Sequence, residues 1–172
     1  MKRRKAIQSI TLSLGGLISL PSWASNWTSN SLPNNYYFSS TENTLLAELV
    51  ETIIPKTDTP GAKELGTHLF VEKMIADCYD KADQKIFANG LKEIEEIATE
   101  TFGKNFTSCN TAQRLHILEG LNMHDNDDYK RFYSTLKRLT IQGYMSSEFV
   151  LTEIKHFEFA PARYLGCVDV KN

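Results

Sequence analysis

From Thr41 onward, apolar side chains return every three or four positions. Leu45, Leu46, Leu49, Val50, Ile53 and Ile54 make one face of a first helix, and Pro55 stops it. Lys56-Thr57-Asp58-Thr59-Pro60-Gly61 then reads as a turn, with Pro60 fixing one φ and Gly61 tolerating backbone angles that other residues avoid. Leu65, Leu69, Met74, Ile75, Cys78 and Tyr79 predict a second helix. A third carries Ile86, Phe87, Leu91, Ile94, Ile97 and Phe102, with Lys92, Glu93, Glu95 and Glu96 on its solvent face and Gly103 near its end.

Asn110-Thr111-Ala112-Gln113 has the spacing of a reciprocal cap, which opens a fourth helix through Leu115, Leu118 and Leu121. The carboxylates between Asp125 and Asp128 suit the start of a fifth, which continues through Phe132, Leu136, Leu139 and Ile141 to about Tyr144. A short sixth helix is expected near Ser146 to Glu153. From His156 the chain, broken by Pro161 and Gly166, reads as an extended tail. No two-residue period persists. The expected fold is therefore all-α, a small bundle of about five to six helices over residues 41–172.

The first 40 residues follow different rules. Lys2-Arg3-Arg4-Lys5 is a compact basic start, followed by a short apolar stretch from Ile10 to Leu20 that Ser and Gly dilute. Ser22-Trp23-Ala24 places small residues three and one positions before a cut after Ala24. That is the layout of a secretory signal over residues 1–24, and the pair Arg3-Arg4 with its weak apolar region points to the twin-arginine route. Residues 25–40, rich in Asn and Ser, read as a polar linker, although Trp27, Tyr36, Tyr37 and Phe38 are too apolar for a pure spacer and predict some packing.

Charge narrows the partners. The full chain has 19 basic and 21 acidic side chains, and removing residues 1–24 leaves 15 basic against 21 acidic, a net charge near −6. Nucleic acid and a polybasic membrane contact both demand the opposite sign. Proteins remain as partners.

Candidate chemistry is sparse. Three cysteines stand far apart with no Cys-x-x-Cys, so zinc and dithiol chemistry are not expected. Cys78, on a predicted helix, is expected in the core. Cys167, near the end, is the candidate for an intersubunit disulfide, because an odd count leaves one thiol without an internal partner. His68 and Glu72 lie one helical turn apart but lack the third ligand a metal needs. His124-Asp125-Asn126-Asp127-Asp128 lacks the glycine and the final glutamate of a calcium loop, and helix capping accounts for it better. Nucleophile-elbow, dinucleotide and phosphate-loop motifs are missing. No catalytic, cofactor-binding or metal-binding residue is assigned.

Three segments in order resemble one family, the gluconate 2-dehydrogenase subunit 3 family. They are Glu51-Thr52-Ile53-Ile54-Pro55-Lys56-Thr57-Asp58-Thr59-Pro60-Gly61-Ala62, then Leu139-Thr140-Ile141-Gln142-Gly143-Tyr144-Met145-Ser146-Ser147-Glu148, then Pro161-Ala162-Arg163-Tyr164-Leu165-Gly166-Cys167. The resemblance covers roughly residues 42–169, behind a twin-arginine start typical of the family. It implies a non-catalytic small subunit that binds a large FAD-dependent dehydrogenase of the glucose–methanol–choline type. The small subunit would escort that flavoprotein through the twin-arginine translocase into the periplasm, where a cytochrome c subunit often completes the complex at the membrane. FAD and haem would then belong to partners, and related complexes differ in substrate. Partner contacts are expected at Pro55, Thr59, Pro60, Gly61, Gly143, Tyr144, Ser147, Glu148, Tyr164 and Gly166. The competing reading is a free-standing periplasmic helical binding module.

Overall fold

A computed structural model describes residues 37–158, His124 excepted. The signal residues Arg3, Arg4 and Ala24, and the tail residues Tyr164, Gly166 and Cys167, lie outside the described residues.

Among the described residues every regular element is helical. The five α-helices are α1 (Ser40–Ile53), α2 (Thr67–Cys78), α3 (Lys81–Phe102), α4 (Thr111–Met123) and α5 (Asp127–Met145). A 3-10 turn, Phe106–Ser108, links α3 to α4, and a π-helical turn, Val150–Ile154, follows α5. No helix among the described residues is long and apolar enough to cross a membrane.

Local chemistry sets the ends. Ser39 caps α1 through a capping box, its hydroxyl accepting from the Glu42 N–H while the Glu42 carboxylate accepts from the Ser39 N–H at 2.9 Å. Proline at 55 disfavours helical angles at the residue before it, and Ile54 leaves the helix at φ −129°. Asp80 caps α3, which closes on Gly103 in the left-handed conformation. The reciprocal cap at Asn110 and Gln113 forms, with bonds of 2.9 and 3.0 Å. Asn126 caps α5 by accepting from the Asp128 N–H.

α5 is the central element, packing against each of the other four α-helices. Its Phe132, Leu136 and Leu139 meet Leu46, Leu49 and Val50 of α1, Val71 and Ile75 of α2, and Phe87, Leu91 and Ile94 of α3 in one buried core. Phe38, ahead of α1 and within the stretch read as linker, is 5% exposed and stacks on Phe87 with ring centroids 5.8 Å apart. Gln84 is buried, and its amide donates to the carbonyls of Ile75, Ala76 and Tyr79. It thereby satisfies the free carbonyls where α2 ends.

Several expectations about the apolar faces fail at their edges. Cys78 is exposed rather than in the core, because Ile75 faces inward on the last turn of α2 while Asp77 and Cys78 face solvent; Cys109 is the buried cysteine among the described residues. Leu69, Leu115 and Ile141 follow the helical period yet stay more than 40% exposed, Leu69 and Ile141 on the walls of open clefts. The expected helix near Ser146–Glu153 is present in shape but closes as a π turn, with the Lys155 N–H donating to the Val150 carbonyl.

Candidate interaction surface

The loop between α1 and α2 is ordered by one side chain. Glu51, on the last turn of α1, accepts the backbone N–H of Lys56 through Oε1 and that of Lys63 through Oε2, both at 2.9 Å. The Ala62 N–H returns to the Ile54 carbonyl, and the Thr67 N–H bonds to the Ala62 carbonyl as α2 begins. Gly61 is not held by its backbone angles, since only Gly66 and Gly103 among the described glycines have positive φ. It is required because a Cβ there would lie 2.4 Å from both oxygens of the Glu51 carboxylate. The turn is a wrapped carboxylate rather than a φ-specified glycine.

The end of α5 meets this loop. The Tyr144 hydroxyl donates to the Pro60 carbonyl at 3.0 Å across 84 positions of sequence. Gly143 is buried, and a Cβ on it would come within 2.6 Å of the Phe70 ring and 3.1 Å of Thr67. Gly143, expected as a partner contact, is thus buried where it lets α2 and α5 approach each other. Gly61, expected as a contact as well, is also buried. Ser147 bonds its hydroxyl to the Tyr144 carbonyl at 2.7 Å and accepts from the Val150 N–H, serving the chain's own turn.

Of the expected contacts within the described residues, Pro60 and Tyr144 are brought together. Thr59 flanks them half-buried, while Pro55 and Glu148 are exposed. Lys56, Thr57 and Asp58 form the exposed crest of the loop, with Lys56 paired to Glu64 at 2.8 Å. Glu51 and Phe70 were not singled out from the sequence; a glutamate one turn before a Pro-containing loop was the available signal for the first.

A second strut backs α1. Glu48 accepts from Lys63 Nζ and Arg114 Nη1, each at 2.5 Å. Burial pushes its carboxyl up, but these hydrogen bonds and the two positive charges outweigh it and hold it below the usual range. Arg114 also lies over the Phe106 ring at 5.4 Å and donates to the Thr107 carbonyl. Beside α1, Glu72 is buried and accepts from the Phe38 N–H at 2.8 Å and from Asn43. His68, one turn earlier, is half-buried; burial lowers its pKa, against the nearby Glu72 carboxylate. Glu72 thus ties α2 to the start of α1, and no group of three metal-ligating side chains occurs among the described residues.

Two open clefts flank α3, one toward α1 and one toward the start of α5. One of about 810 Å³ runs between the first turns of α1, the second half of α3 and the connection to α4. Another of about 350 Å³ adjoins it across α3, sharing Lys92 and Glu96.

The model of one family, gluconate 2-dehydrogenase subunit 3, matches residues 40–163. No curated protein and no solved structure matches the chain.

Proposed function

Because the chain belongs to the gluconate 2-dehydrogenase subunit 3 family, whose model spans residues 40–163, we propose that it is the non-catalytic small subunit of a flavin-dependent dehydrogenase complex. In this reading it binds a large FAD-containing subunit of the glucose–methanol–choline type in the cytoplasm. The Arg3-Arg4 signal then carries the folded pair through the twin-arginine translocase into the periplasm. The family match carries the reading, since the family takes its name from a subunit of a dehydrogenase complex. Flavin, and haem where a cytochrome c subunit joins, reside in the partners, and the chain contributes a helical platform to them. The acidic balance of the chain beyond residue 24 suits a protein partner better than nucleic acid.

The test is direct. The tagged chain is recovered from the periplasm of its own host and an absorption spectrum is taken. Flavin bands from a co-purifying large subunit are expected, and Arg3→Lys with Arg4→Lys should leave both proteins in the cytoplasm. A chain that purifies alone, without flavin, would overturn the reading.

A further inference from the structure

The larger cleft has a chemical bias that the escort role does not explain. Its floor is Leu45 of α1 and Leu91 of α3, both buried in the core. Its rim carries Glu42, Glu95, Glu96 and Glu100 against a single cation, Lys92. Among the described residues none of these four carboxylates enters a salt bridge. Glu42 and Glu95 do accept backbone N–H groups, from Ser39 and Phe106. Glu96 and Glu100 stand exposed, one turn apart. The adjoining cleft adds Glu93 and Asp128 on the far side of Glu96.

The shape is as informative as the charge. Lys92, Glu96 and Glu100 follow each other at four-residue intervals along α3, so the trough extends over two turns, about 12 Å at 1.5 Å per residue. An elongated trough with an apolar floor fits an amphipathic segment better than a compact ligand, and its negative rim selects for positive flanks. We propose that this groove seats a Lys- or Arg-bearing amphipathic segment of the large flavoprotein subunit, its apolar side on Leu45 and Leu91 and its cations against Glu96 and Glu100. The identity of the partner rests on the escort reading; the groove's preference for a cationic, apolar strand of protein rests on the geometry.

A photo-crosslinking residue in place of Thr99, which lines the groove and is exposed, tests the seat in the complex purified from cells. The expected product is a crosslink to one large-subunit peptide in which Lys or Arg flanks apolar residues. Glu96→Lys with Glu100→Lys should slow association about tenfold or more at low salt, with the difference shrinking as salt rises. Circular dichroism checks that the variant folds, and Glu96→Gln with Glu100→Gln gives the same test without new charges. A crosslink to a second copy, to another part of this chain or to a peptide lacking cations would overturn the proposal. Association unchanged by either pair of substitutions would overturn it as well, while leaving the escort reading intact. Unsubstituted chain that brings down no flavoprotein is the distinct result that removes the escort reading, and this seat with it.

Discussion

The Glu51 carboxylate and Gly61 occupy one space, and that makes their energetic coupling a sharp test of the α1–α2 loop. Glu51→Ala removes the acceptor for two backbone N–H groups, those of Lys56 and Lys63. A net hydrogen bond contributes about 0.5–1.5 kcal/mol, and a charged acceptor somewhat more. Both amides lie in an exposed loop where water can replace the acceptor, so the expected loss is about 1–3 kcal/mol. Gly61→Ala acts on the same bonds from the other side. Its Cβ would stand 2.4 Å from the carboxylate oxygens, so the carboxylate must leave and both amides lose it. Gly61→Ala should therefore cost about as much as Glu51→Ala, again roughly 1–3 kcal/mol.

The double variant decides the matter. With no carboxylate present, the new methyl occupies vacated space, and position 61 has no positive φ to penalise alanine. Alanine also restricts the unfolded chain, which is worth about 0.4–1 kcal/mol. Glu51→Ala with Gly61→Ala should thus equal Glu51→Ala alone or exceed it slightly in stability, a coupling of about 1–3 kcal/mol. Urea denaturation of all four proteins, followed by circular dichroism, measures it. Amide exchange at Lys56 and Lys63 should quicken in both single variants. Costs that simply add would refute the shared-space account.

Four further outcomes follow from the packing. Gly90→Ala should destabilise by about 1–2 kcal/mol in urea, because the collision of its Cβ with the Phe132 ring, 2.3 Å away, outweighs the gain in helix propensity; a neutral result would mean that ring sits elsewhere. Hydrogen bonds from the Ser39 hydroxyl and then its backbone N–H lower the Glu42 pKa, so that cap stabilises above the unfolded carboxyl value of about 4.3 and is lost as pH falls through the lower folded value; Ser39→Ala should weaken this acid dependence in pH-resolved denaturation. For His68, burial and the Lys63 charge lower the pKa more than Glu72 raises it, so stability should rise with pH between the folded value and about 6.5, and His68→Leu should flatten that slope. Tyr144→Phe should cost about 0.5–1.5 kcal/mol through loss of the bond to Pro60, measurable by thermal or urea unfolding.

Helix periods were legible because burial repeats every turn, and so were helix ends where a single residue fixes them. Gly103, the Asn110–Gln113 cap and the carboxylates in the first turn of α5 all declared their roles through local chemistry. Misreadings came wherever a role depended on what lies opposite in space. Cys78 and Ile141 carry the right period but lie exposed. Gly61 signals a turn by sequence, yet its reason is a side chain ten positions earlier. The acidic groove was half visible: the charges of Glu95 and Glu96 were read as a solvated face, and only the position of α1 supplies the apolar floor beneath them.

This division changes how the family fingerprint bears on function. Its two described segments converge through the Tyr144–Pro60 bond, and most of their distinctive residues work inside the chain. Gly61 makes room for a carboxylate, Gly143 for Phe70, and Ser147 closes its own turn. Such residues hold a platform in shape, and their loss should lower stability first and complex formation only as a consequence. Direct contacts with a partner are better sought among side chains that the fold leaves exposed. On the loop these are Pro55, Thr57 and Asp58; on α3 they are Glu96 and Glu100. The two groups can be told apart by normalising complex yield to folded protein. Tyr144→Phe should leave that ratio unchanged, while charge reversal at Glu96 and Glu100 should lower it with no loss of stability.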